Sequence, residues 1–280
     1  MKILVTGSRS FVGKSLMPLL QGYGYEVYGI TRTGSTSKNQ LIGDLSCSST
    51  YEDLPKDIEA VVHLAAVTSP PDYSVNNLFL NNTESTRLLI NFSKKVGVSH
   101  FIYASSVSVY GDVNEAVLTE DHSIMNPSPY GLSKLAGEML LKDTANDFVS
   151  FSLRLPAIIG KGATRHWLSK VYQKLLENEE IDIYNPDSGF NNCIHVENLC
   201  SYIVNILGVQ KAGSHVVNLG CTETISIKEC IFFMANLLKY QPKVKLIDHD
   251  KQSFTINFDR AREYGFEPWT VKNSLQCWIS

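Results

Sequence analysis

The chain has 280 residues, of which 44% are hydrophobic and 19% charged, proportions typical of a folded globular protein. Its 25 basic and 28 acidic side chains give a formal charge of −3, which argues against nucleic acid or an anionic membrane as a partner. No apolar run reaches the roughly 18–20 residues of a membrane-spanning helix, and Met1 to Val5 leads straight into a strand pattern without a signal peptide. We therefore expect a cytoplasmic protein.

Strand-like and helical patterns alternate through the first 155 residues. The strand-like runs are Lys2 to Thr6, Glu26 to Ile30, Ala60 to Ala65, His100 to Ser105 and Val149 to Arg154. Helical spacing marks two long stretches, Val75 to Val96 and Pro129 to Asn146. Because such alternation is typical of a parallel sheet with helices on both faces, the sequence predicts a Rossmann-like, doubly wound α/β fold.

The alternation is less regular in the remaining residues, where a loop-like stretch from Leu155 to Ala163 comes first. Helices are then predicted for His166 to Glu177, Val196 to Leu207 and Ile227 to Leu238, and strands for Ile181 to Tyr184 and His215 to Leu219. We interpret residues 1–155 as a dinucleotide-binding domain and residues 156–280 as a smaller mixed α/β substrate-binding region. About residues 195–219 are expected to return to the first sheet.

A glycine loop follows the first strand and opens a helix. Glycines suit this place because the turn is tight and the backbone must approach a pyrophosphate at the helix N-terminus. Ser10 stands at the middle position of the expected G-x-x-G-x-x-G spacing. An ordinary strand-to-helix turn is the alternative, but the place after the first strand favours a dinucleotide site. Its residues are Gly7, Arg9, Ser10, Phe11, Val12 and Gly13.

The end of the second strand bears on the identity of the cofactor. A carboxylate there binds the ribose 2′-hydroxyl of NAD, whereas an arginine suits the 2′-phosphate of NADP. This chain has Gly29-Ile30-Thr31-Arg32-Thr33, without a carboxylate, and Arg9 of the glycine loop can face the same phosphate. NADP is therefore favoured over NAD; the alternative is that both arginines are solvated surface residues.

Tyr130 and Lys134 are four residues apart and so share one face of a predicted helix. A phenol has a pKa of about 10, and a neighbouring ammonium is expected to lower it, so that the tyrosine can exchange a proton with a substrate oxygen. Upstream, Ser105 and Ser106 end a central strand, at the edge where open α/β sheets bind ligands. Ser106 can hold the reacting oxygen; capping of the strand end is the alternative role.

Together these residues resemble the extended short-chain dehydrogenases/reductases of the NAD-dependent epimerase/dehydratase family, whose members mostly act on nucleotide sugars. The resemblance covers nearly the whole chain. Besides the glycine loop it includes Gly43-Asp44-Leu45, His63-Leu64-Ala65-Ala66, Asn82 to Thr86, Ser106 to Gly111, Tyr130 to Lys134 and Ile194-His195-Val196.

The resemblance implies roles for individual residues. Asp44 and Leu45 are expected near the adenine, Ala65 and Ala66 along the cofactor cleft, and Asn82 at the nicotinamide end. Ser106, Tyr130 and Lys134 are expected to form the catalytic triad, with Tyr130 and Lys134 also contacting the cofactor. The family further implies a homodimer built on the two long helices.

The sequence also departs from the family pattern. Val107 and Ser108 stand where the 4,6-dehydratases carry an acidic pair, so we do not expect dehydration. Ala157 replaces an asparagine that contacts the substrate diphosphate in many relatives. Asn191 and Asn192 replace a common Arg-Asp pair whose arginine binds diphosphate. Arg165 is a candidate substitute, and a surface role is its alternative.

The sequence thus predicts an NAD(P)-dependent enzyme that transfers hydride at a sugar carbinol or keto carbon of a nucleotide sugar, as a 4-epimerase or a 4-ketoreductase. One alternative is an NADP-dependent reductase of a small carbonyl compound without a nucleotide. Another is a dinucleotide-binding sensor without catalysis. The six cysteines form no C-x-x-C pair and are expected to be reduced structural thiols, so no metal site is predicted.

Overall fold

The structure, a computed structural model, describes residues 1–34, 39–68, 74–249 and 253–280. In these ranges the strands are β1 (Lys2–Thr6), β2 (Glu26–Thr31), β3 (Gln40–Ile42), β4 (Ala60–His63), β5 (His100–Ser106), β6 (Val117–Leu118), β7 (Val149–Leu155), β8 (Ala157–Ile159), β9 (Glu180–Tyr184), β10 (Gly189–Phe190), β11 (Cys193–His195), β12 (Ser214–Asn218), β13 (Ile225–Ser226), β14 (Lys243–Ile247) and β15 (Thr255–Ile256). The α-helices are α1 (Phe11–Gly22), α2 (Val75–Leu78), α3 (Ser85–Val96), α4 (Pro129–Lys142), α5 (Trp167–Leu176), α6 (Val196–Ile206), α7 (Ile227–Leu237), α8 (Asp259–Arg262) and α9 (Val271–Ile279).

Seven strands of the described chain form one sheet in the order β12-β7-β5-β4-β1-β2-β3. β1 lies between β2 and β4 and is parallel to both, with Lys2 opposite Glu26 and Ile3 opposite Ala60. From β1, the strands β2 and β3 extend the sheet in one direction, and β4, β5, β7 and β12 extend it in the other. Ligands bind in the crevice at such a switch point. The predicted Rossmann-like α/β fold is confirmed.

The sheet belongs to a first compact unit, which comprises residues 1–111, 123–154 and 200–217. Its central strands are nearly continuous apolar runs because helices cover both faces of a parallel sheet. Leu4 of β1, Val61 of β4 and Phe101 of β5 are fully buried, and Leu89 of α3 packs in the same core. The carboxyl ends of these strands are thereby held in a rigid frame.

A second compact unit comprises residues 112–122, 155–199 and 218–280. It contains pairs of short strands: β8 with β11, β9 with β14, β10 with β13 and β6 with β15. Its core includes Leu168, Ile183 and Trp278, together with Cys193 and Cys221, whose sulfurs lie 3.6 Å apart. All six cysteines lie in the described ranges and are free thiols. No described helix is long and apolar enough to cross a membrane.

Two elements differ from the sequence-based expectations. The stretch after Leu155, expected to be a loop, contains β8, which pairs in parallel with β11 from Cys193 to His195. The long helix expected from Val75 to Val96 is interrupted by a π-helical segment at Phe79–Glu84. Such segments occur frequently at functional sites, and this one places Asn82 inside the protein, 1% exposed.

Candidate active site

The glycine loop packs so closely against its neighbours that side chains are excluded at two positions. Gly7 has a φ of +67°, and a Cβ there would lie 2.9 Å from the amide nitrogen of Ala65. A Cβ on Gly13 would lie 2.4 Å from the carbonyl oxygen of Gly7. Both close approaches involve backbone atoms, which cannot rotate away. The loop therefore brings bare backbone to the switch point, as a pyrophosphate site requires.

Ser10 explains why the middle glycine of the motif is dispensable. Its φ of −66° suits any residue, and its hydroxyl accepts a hydrogen bond from the amide of Gly13 at 3.1 Å. Ser10 thus caps α1. The first helical amides, those of Phe11 and Val12, have no carbonyl partner within the helix and suit an anion.

The cofactor residues expected from the sequence gather around one groove in the first unit. Those that line it are Gly7, Arg9, Ser10, Arg32, Asp44, Leu45, Ala65 and Ala66. Phe11, Val12 and Gly13 lie beside it in the first turn of α1. Bare glycine backbone, a helix N-terminus and two arginines are the donors that a dinucleotide needs, so the residues present fit the cofactor.

Opposite charges meet at the groove where the second strand ends. Arg9 donates from Nη1 to the carbonyl oxygen of Thr33 at 3.2 Å, and Arg32 donates from Nη1 to Oδ1 of Asn81 at 3.4 Å. Hydrogen bonds from the amide and hydroxyl of Ser46 hold the pKa of Asp44 below its ordinary value, with a smaller contribution from Arg32. The groove is therefore lined by the guanidinium groups of Arg9 and Arg32 and by the ionised carboxylate of Asp44.

Asn82 shapes the wall of the groove through its amide group. Its Oδ1 accepts from the amide of Val67 at 2.8 Å, and its Nδ2 donates to the carbonyl oxygen of Val67 at 2.9 Å and to the hydroxyl of Ser133 at 3.0 Å. Val67 lines the groove, and Ser133 lies on α4. Asn82 thus fixes the lining segment against the helix that carries Tyr130.

The start of α4 is pressed against the turn that follows β5. Ser128 caps the helix by accepting from the amide of Gly131, and Pro129 occupies its first turn. A Cβ on Gly131 would lie 2.1 Å from the carbonyl oxygen of Ser108. Because only glycine permits this approach, Tyr130 is carried next to Ser106, with which it forms a hydrogen bond.

The three expected catalytic side chains share one partly desolvated site. Ser106 is 9% exposed and Lys134 is 2% exposed, with the Lys134 ammonium 4.2 Å from the centre of the Tyr103 ring. Burial lowers the pKa of Lys134 to about 7. Burial also raises the pKa of Tyr130, and the hydrogen bond with Ser106 offsets this rise only in part. The expected lowering of the Tyr130 pKa by Lys134 is therefore wrong for the chain alone, because desolvation has the larger effect.

Ser106 combines the two roles that the sequence left open. Its hydroxyl accepts from the amide of Ser108 at 3.1 Å and so caps the 3₁₀ turn at Val107–Val109. The same hydroxyl can donate to the phenol oxygen of Tyr130 or to a substrate oxygen, since a hydroxyl has one donor and two acceptor sites. Capping thus orients Ser106 without using up its proton.

Sequence reasoning missed a buried ion pair beside these residues. The carboxylate of Glu138, one turn beyond Lys134 on α4, pairs with Arg154 of β7 at 2.7 Å and accepts from Ser105 of β5. The available signal was the second four-residue step, from Lys134 to Glu138, on the same helix face.

Within the second unit, the positions that depart from the family pattern are occupied in different ways. Asn191 is buried, and its side-chain amide forms two hydrogen bonds with the backbone of Ile256. Its Oδ1 accepts from the Ile256 amide at 2.8 Å, and its Nδ2 donates to the Ile256 carbonyl oxygen at 2.9 Å. Asn192 donates to the carbonyl oxygen of Phe254 and lines a cavity of about 780 Å³. Ala157 lies in β8, and Arg165 is exposed. Asn191 is thus committed to the fold, while Asn192 faces a cavity.

Comparison with known proteins places these features in context. Residues 3–220 match the model of the NAD dependent epimerase/dehydratase family. The chain is 26% identical over 280 residues to a UDP-glucose 4-epimerase of Haemophilus influenzae, covering 82% of the chain and 81% of the relative. It is 24% identical over 304 residues to a dTDP-glucose 4,6-dehydratase of an Actinoplanes species, covering 96% and 93%.

Solved structures share the whole fold. MoeE5 in complex with UDP-glucuronic acid and NAD superposes with a TM-score of 0.84 at 26% identity, covering 100% of this chain and 98% of that one.

Proposed function

The chain belongs to the NAD dependent epimerase/dehydratase family, and on that premise we propose that it transfers hydride at a carbinol or keto carbon of a nucleotide-linked sugar. The observation that carries the proposal is the site on α4 and β5, where Tyr130 meets Ser106 and lies one helical turn from Lys134. The relatives named above act on, or bind, nucleotide sugars according to their descriptions. Hydride chemistry needs both this proton site and the neighbouring dinucleotide groove.

Each side chain has a distinct task in the proposed reaction. When the sugar is oxidised, Tyr130 takes the hydroxyl proton while the carbon-bound hydrogen leaves as hydride; in the reverse direction it returns the proton to the carbonyl oxygen. Ser106 orients that oxygen by a hydrogen bond. Lys134 would supply a positive charge that favours the phenolate, and by the family resemblance it would also bind the nicotinamide ribose. A dinucleotide held by the glycine loop and the groove residues would supply or take up the hydride.

Two outcomes follow from this chemistry, a 4-epimerisation without net use of cofactor and a 4-ketoreduction that consumes it. Dehydration is not proposed because Val107 and Ser108, both in the capped turn, supply neither an acid nor a base.

The cavity of the second unit supports a substrate with a nucleotide portion. Trp167 and Phe190 meet edge to face beside it at 5.3 Å between ring centres, and Ile231 adds apolar surface. Lys170 and Lys174, one turn apart on α5, contribute positive charge in place of the family's arginine. Flat apolar walls with a few cations suit a base and its phosphates.

One observation favours a second candidate, reduction of a small carbonyl compound without a nucleotide. Ala157 cannot donate a hydrogen bond, and the amide of Asn191 is engaged by Ile256. Neither side chain is therefore available to donate a hydrogen bond to a diphosphate, as the corresponding residues do in the family.

A panel of substrates tests the proposal. The purified protein is incubated with UDP-, GDP- and dTDP-sugars and oxidised dinucleotide, and with their 4-keto derivatives and simple carbonyl compounds with and without NADPH. Products are identified by chromatography and mass spectrometry. We expect one nucleotide sugar to be converted to its 4-epimer or to its reduced form. Turnover of simple carbonyls alone favours the second candidate. Cofactor binding without turnover of any compound would instead indicate a sensor.

We propose NADP rather than NAD as the preferred cofactor, because Arg9 and Arg32 both line the groove near the end of β2. A charge-assisted hydrogen bond contributes about 1.5–3 kcal/mol. The double variant R9A/R32A is therefore expected to bind NADPH at least about tenfold more weakly, with little change for NADH. Arg87, an exposed residue paired with Glu84 at 2.6 Å, provides the control R87A. Equal losses for both cofactors, or tighter NAD binding by the wild type, would contradict the assignment.

Family membership also underlies our proposals for the roles of the two parts of the chain and for its oligomeric state. Residues 1–155 would bind the dinucleotide and residues 156–280 the substrate, with about residues 195–219 returning to the sheet. We propose a homodimer located in the cytoplasm. The dimer is supported by apolar side chains that are exposed on both long helical stretches: Val75, Leu80, Leu132 and Met139. Sedimentation equilibrium decides between a mass of 31.2 kDa and twice that value.

A further inference from the structure

Glu138 continues the line of functional side chains along α4. Tyr130, Lys134 and Glu138 follow each other at intervals of four residues, so they lie on one face of the helix. Lys134 and Glu138 are 2% and 5% exposed, respectively. A buried carboxylate one turn from a buried ammonium acts on it with little screening by water.

The carboxylate of Glu138 accepts hydrogen bonds from three donor atoms. Arg154 donates from Nη2 to Oε2 at 2.7 Å and from Nε to Oε1 at 3.0 Å, and Ser105 donates from Oγ to Oε1 at 2.5 Å. Burial alone would lower the pKa of Arg154, but hydrogen bonds and charge from Glu138 raise it above its ordinary value. The pair is thus a bidentate, charge-assisted contact inside the first unit.

Four groups face or act on Lys134 from the surrounding elements. Tyr103 of β5 presents its ring to the ammonium, and His63 of β4 lies within electrostatic range. Burial lowers the pKa of His63 to about 3, so its ring is neutral. Tyr130 is uncharged near neutrality because burial raises its pKa. Glu138 is the negative charge among the four, and it raises the pKa of Lys134 against the effect of burial.

We propose that the Glu138–Arg154 pair is a positioning device that keeps Lys134 charged, with Arg154 and Ser105 holding the carboxylate of Glu138 in place. The inference rests on the proposed function, since it concerns the lysine of that site. Without the negative charge of Glu138, the Arg154 cation would repel the Lys134 ammonium and disfavour its charged form.

The proposal fixes an order for the protonation of Lys134. In the wild type, Lys134 has an anion one turn away and a cation beyond it. In E138Q only the cation remains, and in E138Q/R154M neither charge remains. The midpoint pH of Lys134 should therefore be highest in the wild type, intermediate in E138Q/R154M and lowest in E138Q. The midpoint in E138Q is expected to fall by about one pH unit, because removal of a neighbouring opposite charge disfavours the charged form.

NMR titration of the Lys134 side chain, in protein labelled with ¹³C-lysine and assigned by comparison with K134M, measures these midpoints without any substrate. The matched control is E229Q, which removes an exposed carboxylate paired with Lys272 at 2.7 Å. A midpoint in E138Q that coincides with those of E229Q and the wild type would overturn the proposal. If E138Q does not fold, E138Q/R154M removes both members of the buried ion pair together, and a wild-type midpoint there overturns the proposal equally.

The activity profile gives a second readout. The charged form of Lys134 is present below its pKa and is lost as pH rises, so the alkaline limb of the rate profile should move to lower pH in E138Q. A purely structural pair would lower the amount of folded enzyme at every pH without moving the limb. Because the NMR midpoints need no turnover, their failure is distinguishable from failure of the proposed function.

Discussion

Replacement of Tyr130 by phenylalanine is expected to lower the rate of hydride transfer by about 10²- to 10⁴-fold, the usual contribution of a positioned general acid or base. Phenylalanine keeps the ring that packs at the start of α4 but lacks the oxygen that exchanges a proton with the sugar. Dinucleotide binding should be unchanged within about twofold, because the groove is formed by the glycine loop and by the ends of β2 and β4. Single-turnover kinetics and calorimetric titration with NADPH measure the two effects separately.

Tyr103 provides a matched control for this experiment. It is fully buried on β5, its ring contacts the Lys134 ammonium, and its hydroxyl donates to the carbonyl oxygen of Lys134 at 3.4 Å. Y103F removes a phenol oxygen from the same neighbourhood without removing the proposed proton carrier. We expect Y103F to remain within about tenfold of the wild-type rate. A Y130F rate equal to the wild-type rate would refute the proposed role of Tyr130.

The variant G13A is expected to weaken dinucleotide binding by about 10- to 100-fold, since forcing a methyl into a closed contact costs about 1–3 kcal/mol. The added Cβ would lie 2.4 Å from the carbonyl oxygen of Gly7 and 2.7 Å from that of Ser8. Relief requires α1 to move away from the loop, which displaces the amides of Phe11 and Val12 from the phosphates. Calorimetric titration with NADPH and NADH gives the change in affinity.

Gly22, the last residue of the same helix, offers the control. A Cβ there meets nothing within 4 Å. G22A should bind the cofactor as the wild type does and raise the free energy of unfolding by up to about 1 kcal/mol, because alanine has the higher helix propensity. Equal affinities for G13A and G22A would show that the close approach of loop and helix is not part of the binding site.

Much of the first unit could be predicted because its signals are local. Each central strand is buried on both faces, so the apolar runs at β1 and β4 mark it directly. The helix α4 has its own cap and a first-turn proline. The strand β8, by contrast, exists only through its pairing with β11, some 36 residues later. A three-residue strand beside Pro156 carries no periodicity of its own.

In the candidate site, too, features within one element could be predicted, whereas features that depend on contacts between elements could not. The four-residue step from Tyr130 to Lys134 was visible because both lie on one helix. The pairing of Glu138 with Arg154 depends on α4 lying against β7, and the rise in the Tyr130 pKa depends on burial, which no spacing reveals. The role of Ser10 in place of a glycine likewise depends on a contact, the hydrogen bond that its hydroxyl accepts from the amide of Gly13.

The most direct test of the account follows a deuterium label. The carbinol form of the nucleotide sugar identified by the substrate panel, which is the substrate of an epimerase or the product of a ketoreductase, is prepared with deuterium at the reacting carbon. It is mixed with the protein and oxidised dinucleotide, and the quenched mixture is analysed by mass spectrometry. Hydride transfer beside Tyr130 predicts that the deuterium stays with the dinucleotide and the sugar and that Y130F leaves the label in place. Release of the deuterium into water would contradict the account.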